Sequence, residues 1–511
     1  MVEEKAKGMA DGHTKLLFWG CWIALVATSV GFIVRAGIIG DWGAQFNLTK
    51  TQEGELLGVG LWPFALSIVL FSLVIDKIGY GTAMIFAFAC HIISAIVTIL
   101  ATGYTMLYIG TFIVALGNGT VEAVINPVVA TVFHKEKTKW LNILHAGWPG
   151  GLVLGGLIAL IMGEGTHWTW KVAIIIIPAI IYGLILIRCK FPVQERVKAG
   201  VTYKAMLQEA GIVGAIIVVA IIVAELIRIL GAGDVTSPAG LIILILGILL
   251  VVGYSLYVRS LGRPMFLFLL LIMLPLATTE LGTDSWITQL VEPIMEGIGL
   301  PAIIVLIYTS FIMMILRFIA GPIVHKLSPL GLLALCSGIA CIGLIWLSNA
   351  AGFIIFIAAT FYALGKTFFW PTMLGVVAER FPKGGALTLN AIGGMGMLSV
   401  GVIGAAFIGN IQDKQIDRDL LSQDSALHAQ VAGEEKVSVF GKYNSIDQDK
   451  VAQLPPEEKK VYTTIEATAK QSALFTMAIF PLIMLVCYLI LIFYFKSKGG
   501  YKAEELVTQT E

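Results

Sequence analysis

Charged residues are scarce in this sequence. Asp, Glu, Lys and Arg account for 13% of its 511 residues, whereas a soluble domain contains about 25%. A chain with so few charges cannot cover a surface that faces water, and 58% of its residues are hydrophobic. The composition therefore predicts a membrane protein whose main solvent is the lipid bilayer. The net charge of +1 gives no field that attracts nucleic acid, so no nucleic-acid partner is expected.

The sequence also lacks the motifs of enzyme, metal and nucleotide chemistry. Its six cysteines lie in or beside apolar runs without metal-ligand spacing, and we expect them to be free thiols. A GxxxxGK-Ser/Thr loop is absent, which argues against ATP as a driving force. We expect neither an enzyme nor a bound cofactor or metal. The first apolar run is too long for a cleaved signal and is predicted to be a retained helix.

Long apolar runs predict fourteen membrane-spanning helices. A span needs about 20 mostly apolar residues, and only internally bonded backbone is stable in lipid. The runs lie at about 16–39, 54–75, 82–101, 106–133, 140–162 and 168–189 (spans 1 to 6), 211–231 and 239–258 (the inserted pair), and 264–288, 300–325, 330–349, 352–379, 385–411 and 468–495 (spans 7 to 12). The prediction is a six-helix bundle at 1–190, a linker with the inserted pair at 191–262, and a second six-helix bundle at 263–511.

Lysine and arginine are concentrated in alternate short loops. The loops of one side hold most of them, and those of the other hold little beyond Lys50 and Lys171. We expect a multi-pass protein of the cell (inner) membrane. The positive-inside rule then predicts that both of its termini are cytoplasmic. A long polar loop at about 412–467 lies outside, with too few apolar residues for a large core, and we assign it no independent activity.

Two stretches of the chain align when it is shifted by 248 residues. Ala-Leu-Gly at 115–117 falls on the same tripeptide at 363–365, and Leu-Asn at 141–142 falls on Leu-Asn at 389–390. The constant offset pairs span 4 with span 10 and span 5 with span 11. It is typical of two six-helix halves related by an axis along the membrane normal.

The loop between spans 2 and 3 contains Asp76, Lys77 and Gly79. It resembles the Gly-x-x-x-Asp-Arg/Lys-x-Gly-Arg-Arg loop of the major facilitator superfamily, although the copy after span 8 has His325 in place of the Asp. The resemblance implies an all-α fold of two six-helix bundles around a central cavity. It also implies a gating role for this loop, with a basic partner for the Asp. The alternative is a tight turn that any short helix hairpin needs.

Ionisable residues inside the predicted spans are few. Each costs several kcal/mol unless paired or hydrated, so each is a candidate for a functional site. They are Arg35, Glu122, His145, Glu280, Asp284, Arg317 and Lys366. His91 is expected to be structural, and Glu225 and Arg228 of the inserted pair are expected to form an ion pair with each other.

Span 4 places Glu122 and Asn126 on one helical face. Pro127 follows and frees the carbonyl one turn earlier, near Ala123. A carboxylate, an amide and a free carbonyl are groups that bind sugar hydroxyls or a proton. The alternative is a kinked helix in which Glu122 is neutral or paired with Lys366.

The Glu-x-x-x-Asn-Pro of span 4, followed by Leu-Asn in span 5, resembles the fucose–proton symporter family. The resemblance implies that Glu122 recognises sugar and takes part in coupling, and it places His145 and Trp148 at the substrate. Arg35 stands in span 1, where the family has an acidic residue. Asn142 and its repeat counterpart Asn390 are further candidates. The predicted substrate contacts are Arg35, Glu122, Asn126, Asn142, His145, Trp148, Glu280, Arg317, Lys366 and Asn390.

Span 7 carries Glu280 and Asp284 one turn apart. Two close carboxylates cannot both ionise cheaply in a low dielectric, so they are candidate proton carriers together with Glu122. The alternative has Asp284 in water and Glu280 paired with Arg317. Lys366 is a candidate for substrate binding or coupling, because a buried lysine can lose its proton.

These features predict a secondary active transporter, in which a proton (or Na⁺) drives symport of a sugar or polyol by alternating access. We expect a monomer. A transporter of small organic anions held by Arg35 and Arg317 is the first alternative, because guanidinium matches carboxylate and phosphate. A peptide transporter is less favoured, since span 1 lacks a Glu-x-x-Glu-Arg cluster. A receptor or scaffold that transports nothing is also less favoured, because it has little need for costly buried charges.

Overall fold

A computed structural model describes residues 2–48, 50–163, 165–230, 234–438 and 441–506. Thirteen helices within these ranges are long and apolar enough to cross a membrane, and one helix pair bent by 70° makes a fourteenth. The fourteen predicted spans are therefore present as helices.

The N-terminal half contains spans 1 to 6. Span 1 is Val2–Phe46, span 2 is Lys50–Gly58 with Trp62–Ile78, span 3 is Tyr80–Ile99, span 4 is Tyr104–Val132, span 5 is Lys137–His145 with Gly147–Met162, and span 6 is Trp168–Ala173 with Ile176–Leu186. A short helix, Glu195–Lys198, follows in the linker. The inserted pair is Tyr203–Leu230 and Pro238–Val258.

The C-terminal half contains spans 7 to 12. Span 7 is Pro264–Ala277 with Thr278–Gly282 and Thr283–Glu296, span 8 is Ile303–Phe318 with Ala320–Leu327, span 9 is Pro329–Ser348, and span 10 is Ile354–Lys366 with Phe369–Arg380. Span 11 is Pro382–Gly384, Gly385–Leu398, Ser399–Gly404 and Ala405–Gln423, and span 12 is Pro456–Met477 with Ile479–Ser497.

The segment predicted as a long polar loop, 412–467, contains helices and two strands among its described residues. Spans 11 and 12 continue as helices beyond the apolar region, and Ser425–Val431, β1 (Ala432–Ser438), β2 (Gly441–Ile446) and Gln448–Ala452 connect them. β1 and β2 pair antiparallel. A small separate core stabilises the unit; it consists of Ile416, Leu420, Leu427, Val431, Ile446, Val451, Tyr462, Ile465 and Ala469. This cluster is small, as the scarcity of apolar residues in the segment predicted.

Breaks in the spans lie next to prolines. Span 5 breaks at Ala146, ahead of Pro149, and span 10 breaks after Lys366, ahead of Pro371. Proline has no N–H for the carbonyl four residues earlier, so each break leaves a carbonyl free. Span 7 contains a π-helical turn, Thr278–Gly282, a feature that is rare and often marks a functional site.

The two halves meet where span 2 packs on span 11 and span 5 packs on spans 8 and 10. We call the end of the bundle with the connections between spans 2 and 3, 4 and 5, 8 and 9, and 10 and 11 the basic end, because the short lysine- and arginine-rich segments lie there. The first inserted helix packs on spans 7 and 11, and the second packs mainly on the first and is largely exposed.

Three structural expectations outside the site are met. His91 bonds to Asn118 Oδ1 and Tyr182 Oη, both at 2.9 Å, as expected for a structural histidine. Arg228 and Glu225 form an ion pair at 2.6 Å. All six cysteines are free thiols.

Candidate functional site

Span 4 supplies a carboxylate and an amide that bond to each other and to span 5. Asn126 Nδ2 donates to Glu122 Oε2 at 2.7 Å, and Asn126 Oδ1 lies 2.9 Å from His145 Nε2. The three side chains are at most 5% exposed. Among the described residues, no basic group forms an ion pair with Glu122. Lys366, the partner considered as an alternative, pairs with Asp284. Glu122, Asn126 and His145 thus form one hydrogen-bonded set, which we call the span 4–5 set.

The carbonyl freed by Pro127 is used by the opposite half. Ala123 O, four residues earlier, accepts a bond from Asn390 Nδ2 of span 11 at 3.0 Å. Asn142 Nδ2 of span 5 donates to Thr372 Oγ1 of span 10 at 3.2 Å. The Oδ1 atoms of Asn142 and Asn390 are buried and have no partner among the described residues. Both amides therefore join the halves, and each keeps an unused acceptor oxygen among the described residues.

Arg317 of span 8 lies between the halves and makes three kinds of bond. Its Nη2 pairs with Glu280 Oε1 at 2.7 Å, its Nε donates to Thr367 O at 2.6 Å, and its Nη1 donates to His145 O at 2.9 Å. The Trp370 N–H donates to the other Glu280 oxygen at 3.1 Å. Glu280 and Arg317 are 2% and 1% exposed. The buried charge of each is therefore compensated within the C-terminal half.

Lys366 of span 10 forms a second buried ion pair with Asp284 of span 7. Its ammonium also lies 4.8 Å from the centre of the Tyr362 ring, where a cation–π contact adds to the pair. Asp284 is 8% exposed, so it does not stand in open water. Glu280 and Asp284 each have their own cation, and the geometry does not show them sharing a proton.

Arg35 stands apart from these pairs. Its guanidinium makes long contacts to Gly31 O at 3.3 Å and Ser94 Oγ at 3.4 Å, and its Nε has no hydrogen-bond partner among the described residues. No described acidic group pairs with it. Phe32, which lies in span 1 with Arg35, packs near Trp148 of span 5, and their ring centres are 5.8 Å apart. Arg35 thus carries a buried positive charge that the described residues leave uncompensated.

The loop between spans 2 and 3 is joined to the linker after span 6. Asp76 forms a buried ion pair with Arg196, and Lys77 lies 5.2 Å from the centre of the Tyr203 ring. Gly79 has φ +83°, a conformation that favours glycine at the turn between the two helices. The expected basic partner of Asp76 is therefore Arg196, which sequence reasoning counted only as a loop charge.

The basic end is closed by contacts between the halves. Thr138 Oγ1 donates to Glu379 at 2.5 Å, and Lys137 Nζ donates to Ala378 O at 3.2 Å. Tyr501 of the C-terminal segment donates to the other Glu379 oxygen at 2.8 Å. Sequence reasoning missed this cluster, because single polar residues at helix ends give no pattern that marks them.

The C-terminal segment is held at the same end. Glu504 accepts two bonds from Arg263 at 2.9 Å and pairs with Arg380 at 2.9 Å. These bonds, first of all that from Arg263, hold the pKa of the Glu504 carboxyl below its usual value. The segment is thereby fastened beside the contacts that close the basic end.

Solved structures with the same architecture are membrane transporters. The FucP transporter in the outward conformation matches with TM-score 0.55 and 14% identity, over 92% of this chain and 98% of that one. The proton:xylose symporter XylE matches with TM-score 0.59 and 12% identity, over 93% and 95%. The human organic anion transporter MFSD10 matches with TM-score 0.56 and 10% identity, over 93% and 98%. At these identities the likeness shows the fold alone.

A family model described as Major Facilitator Superfamily matches residues 21–405. The match covers most of both halves and includes the inserted pair and all of the buried charges described above. The fold of two six-helix halves agrees with it, as does the resemblance of the loop at Asp76. The chain belongs to the Major Facilitator Superfamily and is a multi-pass membrane transporter of that fold.

Proposed function

We propose that this transporter couples a proton to the symport of a sugar or polyol by alternating access. The observation that carries the proposal is the span 4–5 set, in which a buried carboxyl group has an amide partner and, within the described part of the chain, no cation paired with it. A buried carboxylate without a cation is costly, whereas a protonated one is not. Glu122 is therefore placed to take up a proton together with substrate and to release it when the site is hydrated.

The two buried ion pairs of the C-terminal half support a neutral substrate. Arg317 and Lys366 are each neutralised by an acidic group of their own half, so the substrate need not bring a negative charge. The unused oxygen atoms of Asn142 and Asn390 can accept bonds from hydroxyl groups. Trp148, one turn beyond His145, offers an aromatic face of the kind that packs on the C–H face of a sugar ring.

Two of the structures with this fold are consistent with this choice. One is titled a fucose:proton symporter of E. coli and another a proton:xylose symporter. Their substrates are properties of those proteins. For this chain, the shared fold and the Glu-x-x-x-Asn-Pro motif that contains Glu122 make a sugar the first substrate class to test.

A small organic anion is the second candidate, and Arg35 favours it. Its buried guanidinium has no acidic partner and an unbonded Nε among the described residues. Such a group gains most from a carboxylate, which it can bind in a bidentate manner. Arg317 does not favour this candidate, because Glu280 and two carbonyls already occupy it. A structure with this fold, MFSD10, is titled an organic anion transporter.

Uptake by purified protein in proteoliposomes tests the two candidates. We expect labelled sugar to accumulate when a pH gradient is imposed, and not under a Na⁺ gradient alone. Glu122→Gln should abolish accumulation and retain exchange of sugar between the two sides, because the amide can bind hydroxyls but cannot carry the proton. Glu225→Gln, which removes a buried carboxylate outside the site, is the control and should accumulate sugar normally.

The alternative outcome is equally clear. If carboxylates compete for uptake and sugars do not, the substrate is an anion. Arg35→Lys should then weaken the apparent affinity at least about 10-fold, the effect of about 1.4 kcal/mol. Unchanged proton-driven uptake by Glu122→Gln would remove Glu122 from the coupling role.

A further inference from the structure

Three prolines near the site each free a carbonyl, and a side chain from another span bonds to each one. Pro127, Pro149 and Pro371 lack the N–H that would bond Ala123, His145 and Thr367. Asn390 donates to Ala123 O, and Arg317 donates to both other carbonyls. The free carbonyls are therefore acceptors for contacts between spans.

The two carbonyls bound by Arg317 belong to different halves. Thr367 lies in span 10, in the same half as Arg317 and Glu280, and the bonds to these two hold the guanidinium in one orientation. His145 lies in span 5 of the other half, and a single bond of 2.9 Å joins it to Arg317. When spans 5 and 8 separate, that bond is lost but the charge of Arg317 stays compensated.

His145 is also the member of the span 4–5 set that lies next to Arg317. Its ring bonds to Asn126, which bonds to Glu122, and its main-chain oxygen bonds to Arg317. His145 therefore links the span 4–5 set to the bond between the halves.

We propose that Arg317 is a positioning residue and not a substrate ligand: its bond to the His145 carbonyl, which Pro149 leaves free, is a reversible latch that holds the basic end closed. This rests on the proposed alternating access and adds to it the element that links the span 4–5 set to closure. The latch can open without leaving a buried charge unpaired, because only one of the bonds that Arg317 makes to described residues crosses between the halves.

Proline substitutions test the latch without removing any member of it. Pro149→Ala restores an N–H that competes for His145 O and weakens the bond between the halves. Pro371→Ala is the matched control, because it restores an N–H for Thr367 O, whose bond to Arg317 lies within one half. Both changes replace a proline by alanine in a span that crosses the interface, so general effects on the helix are matched.

The readout is the alkylation of a cysteine at the closed end. Ala378→Cys in a background without the six native cysteines places a thiol at a site that is 6% exposed, next to the contact with Lys137. The rate of reaction with a charged maleimide, measured on purified protein without substrate, reports opening of the basic end. We expect Pro149→Ala to raise the rate about 10-fold, within the contribution of one charge-assisted hydrogen bond, and Pro371→Ala to change it less than about 2-fold.

Arg317→Lys gives a second measurement if Pro149→Ala does not yield monodisperse protein. Lysine keeps the charge beside Glu280 but cannot reach the three acceptors together, so alkylation should again rise. Equal rates for the two proline variants, or an unchanged rate for Arg317→Lys, would overturn the latch. Because no substrate is used, these results are independent of whether the protein carries sugar or anion.

Discussion

At the scale of the residue, the C-terminal half holds two buried ion pairs whose cations lie on neighbouring spans. Arg317 pairs with Glu280, and Lys366 pairs with Asp284. Removing one member of such a pair leaves a charge with no partner in a low dielectric. Removing both members leaves only a change of packing, which is far less costly. This difference separates a structural pair from a group whose charge serves the substrate.

Lys366→Met should lower stability strongly, by about 3–5 kcal/mol, because the Asp284 carboxylate loses its cation. The double variant Lys366→Met with Asp284→Asn should recover most of that loss. Thermal unfolding of the purified variants in detergent is the measurement. If the double variant is no more stable than Lys366→Met, then the two charges do not compensate each other in the folded protein.

The sequence predicted the local geometry around the candidate residues better than it predicted their partners on other spans. It identified the face of span 4 with Glu122 and Asn126, and it predicted a free carbonyl near Ala123, because proline chemistry and helical spacing are local. It offered the Glu280–Arg317 pair only as an alternative and did not identify Asp284 as the partner of Lys366. Such partners depend on the rotation and depth of packed helices, which no single span encodes.

At the scale of the element, the inserted pair is fixed by a close contact of two glycines. Gly211 has φ +64° and Gly262 has φ +99°. A Cβ on Gly211 would lie 2.0 Å from the Gly262 nitrogen. Gly211 lies at a kink within Tyr203–Leu230, and Gly262 follows the second inserted helix. The two ends of the pair thus meet at one point, where only glycine fits.

Gly211→Ala should therefore lower the melting temperature by several degrees, because backbone strain alone costs about 1–3 kcal/mol and the clash adds to it. Gly253→Ala is the control on the second inserted helix, where an added Cβ meets nothing within 4 Å. That change should leave stability unchanged or raise it slightly, since alanine favours a helix by about 1 kcal/mol over glycine. Equal melting temperatures for the two variants would show that the glycine contact does not fix the pair.

The elements themselves were largely predictable, and the exceptions have physical reasons. Apolar runs of about 20 residues determine spans in lipid, so all fourteen were found. Helix ends in water follow other rules, and span 12 begins at Pro456 instead of near 468. The unit between spans 11 and 12 was missed because its small core consists of scattered apolar residues, such as Leu420 and Tyr462, in a polar stretch.

At the scale of the whole molecule, the repeat in the sequence corresponds to the two halves of the fold. The 248-residue offset pairs span 4 with span 10 and span 5 with span 11, and these spans provide most of the contacts around the site. Each of spans 4 and 10 has a proline whose freed carbonyl accepts a bond from another span. Both halves therefore use a proline-freed carbonyl for a contact between spans, although the two prolines are not related by the 248-residue offset.

The orientation of the whole chain in the membrane is the remaining prediction at this scale. The first and last described residues and the basic end lie on one side of the bundle, and the unit between spans 11 and 12 lies on the other. Lysine and arginine prefer the cytoplasmic side, where translocation is costly for them. Both termini should therefore be cytoplasmic, and the unit should face outward.

Single cysteines in the cysteine-free background distinguish the two orientations. Ser422→Cys lies on the exposed surface of the unit, and Ser497→Cys lies exposed at the end of span 12. In intact cells, an impermeant maleimide should label Ser422→Cys and leave Ser497→Cys unlabelled until the membrane is permeabilised. The reverse pattern would place the basic end outside. The contacts of Lys137, Glu379 and the C-terminal segment would then close the outer end of the pathway, and an inward proton gradient would meet the span 4–5 set from the opposite side.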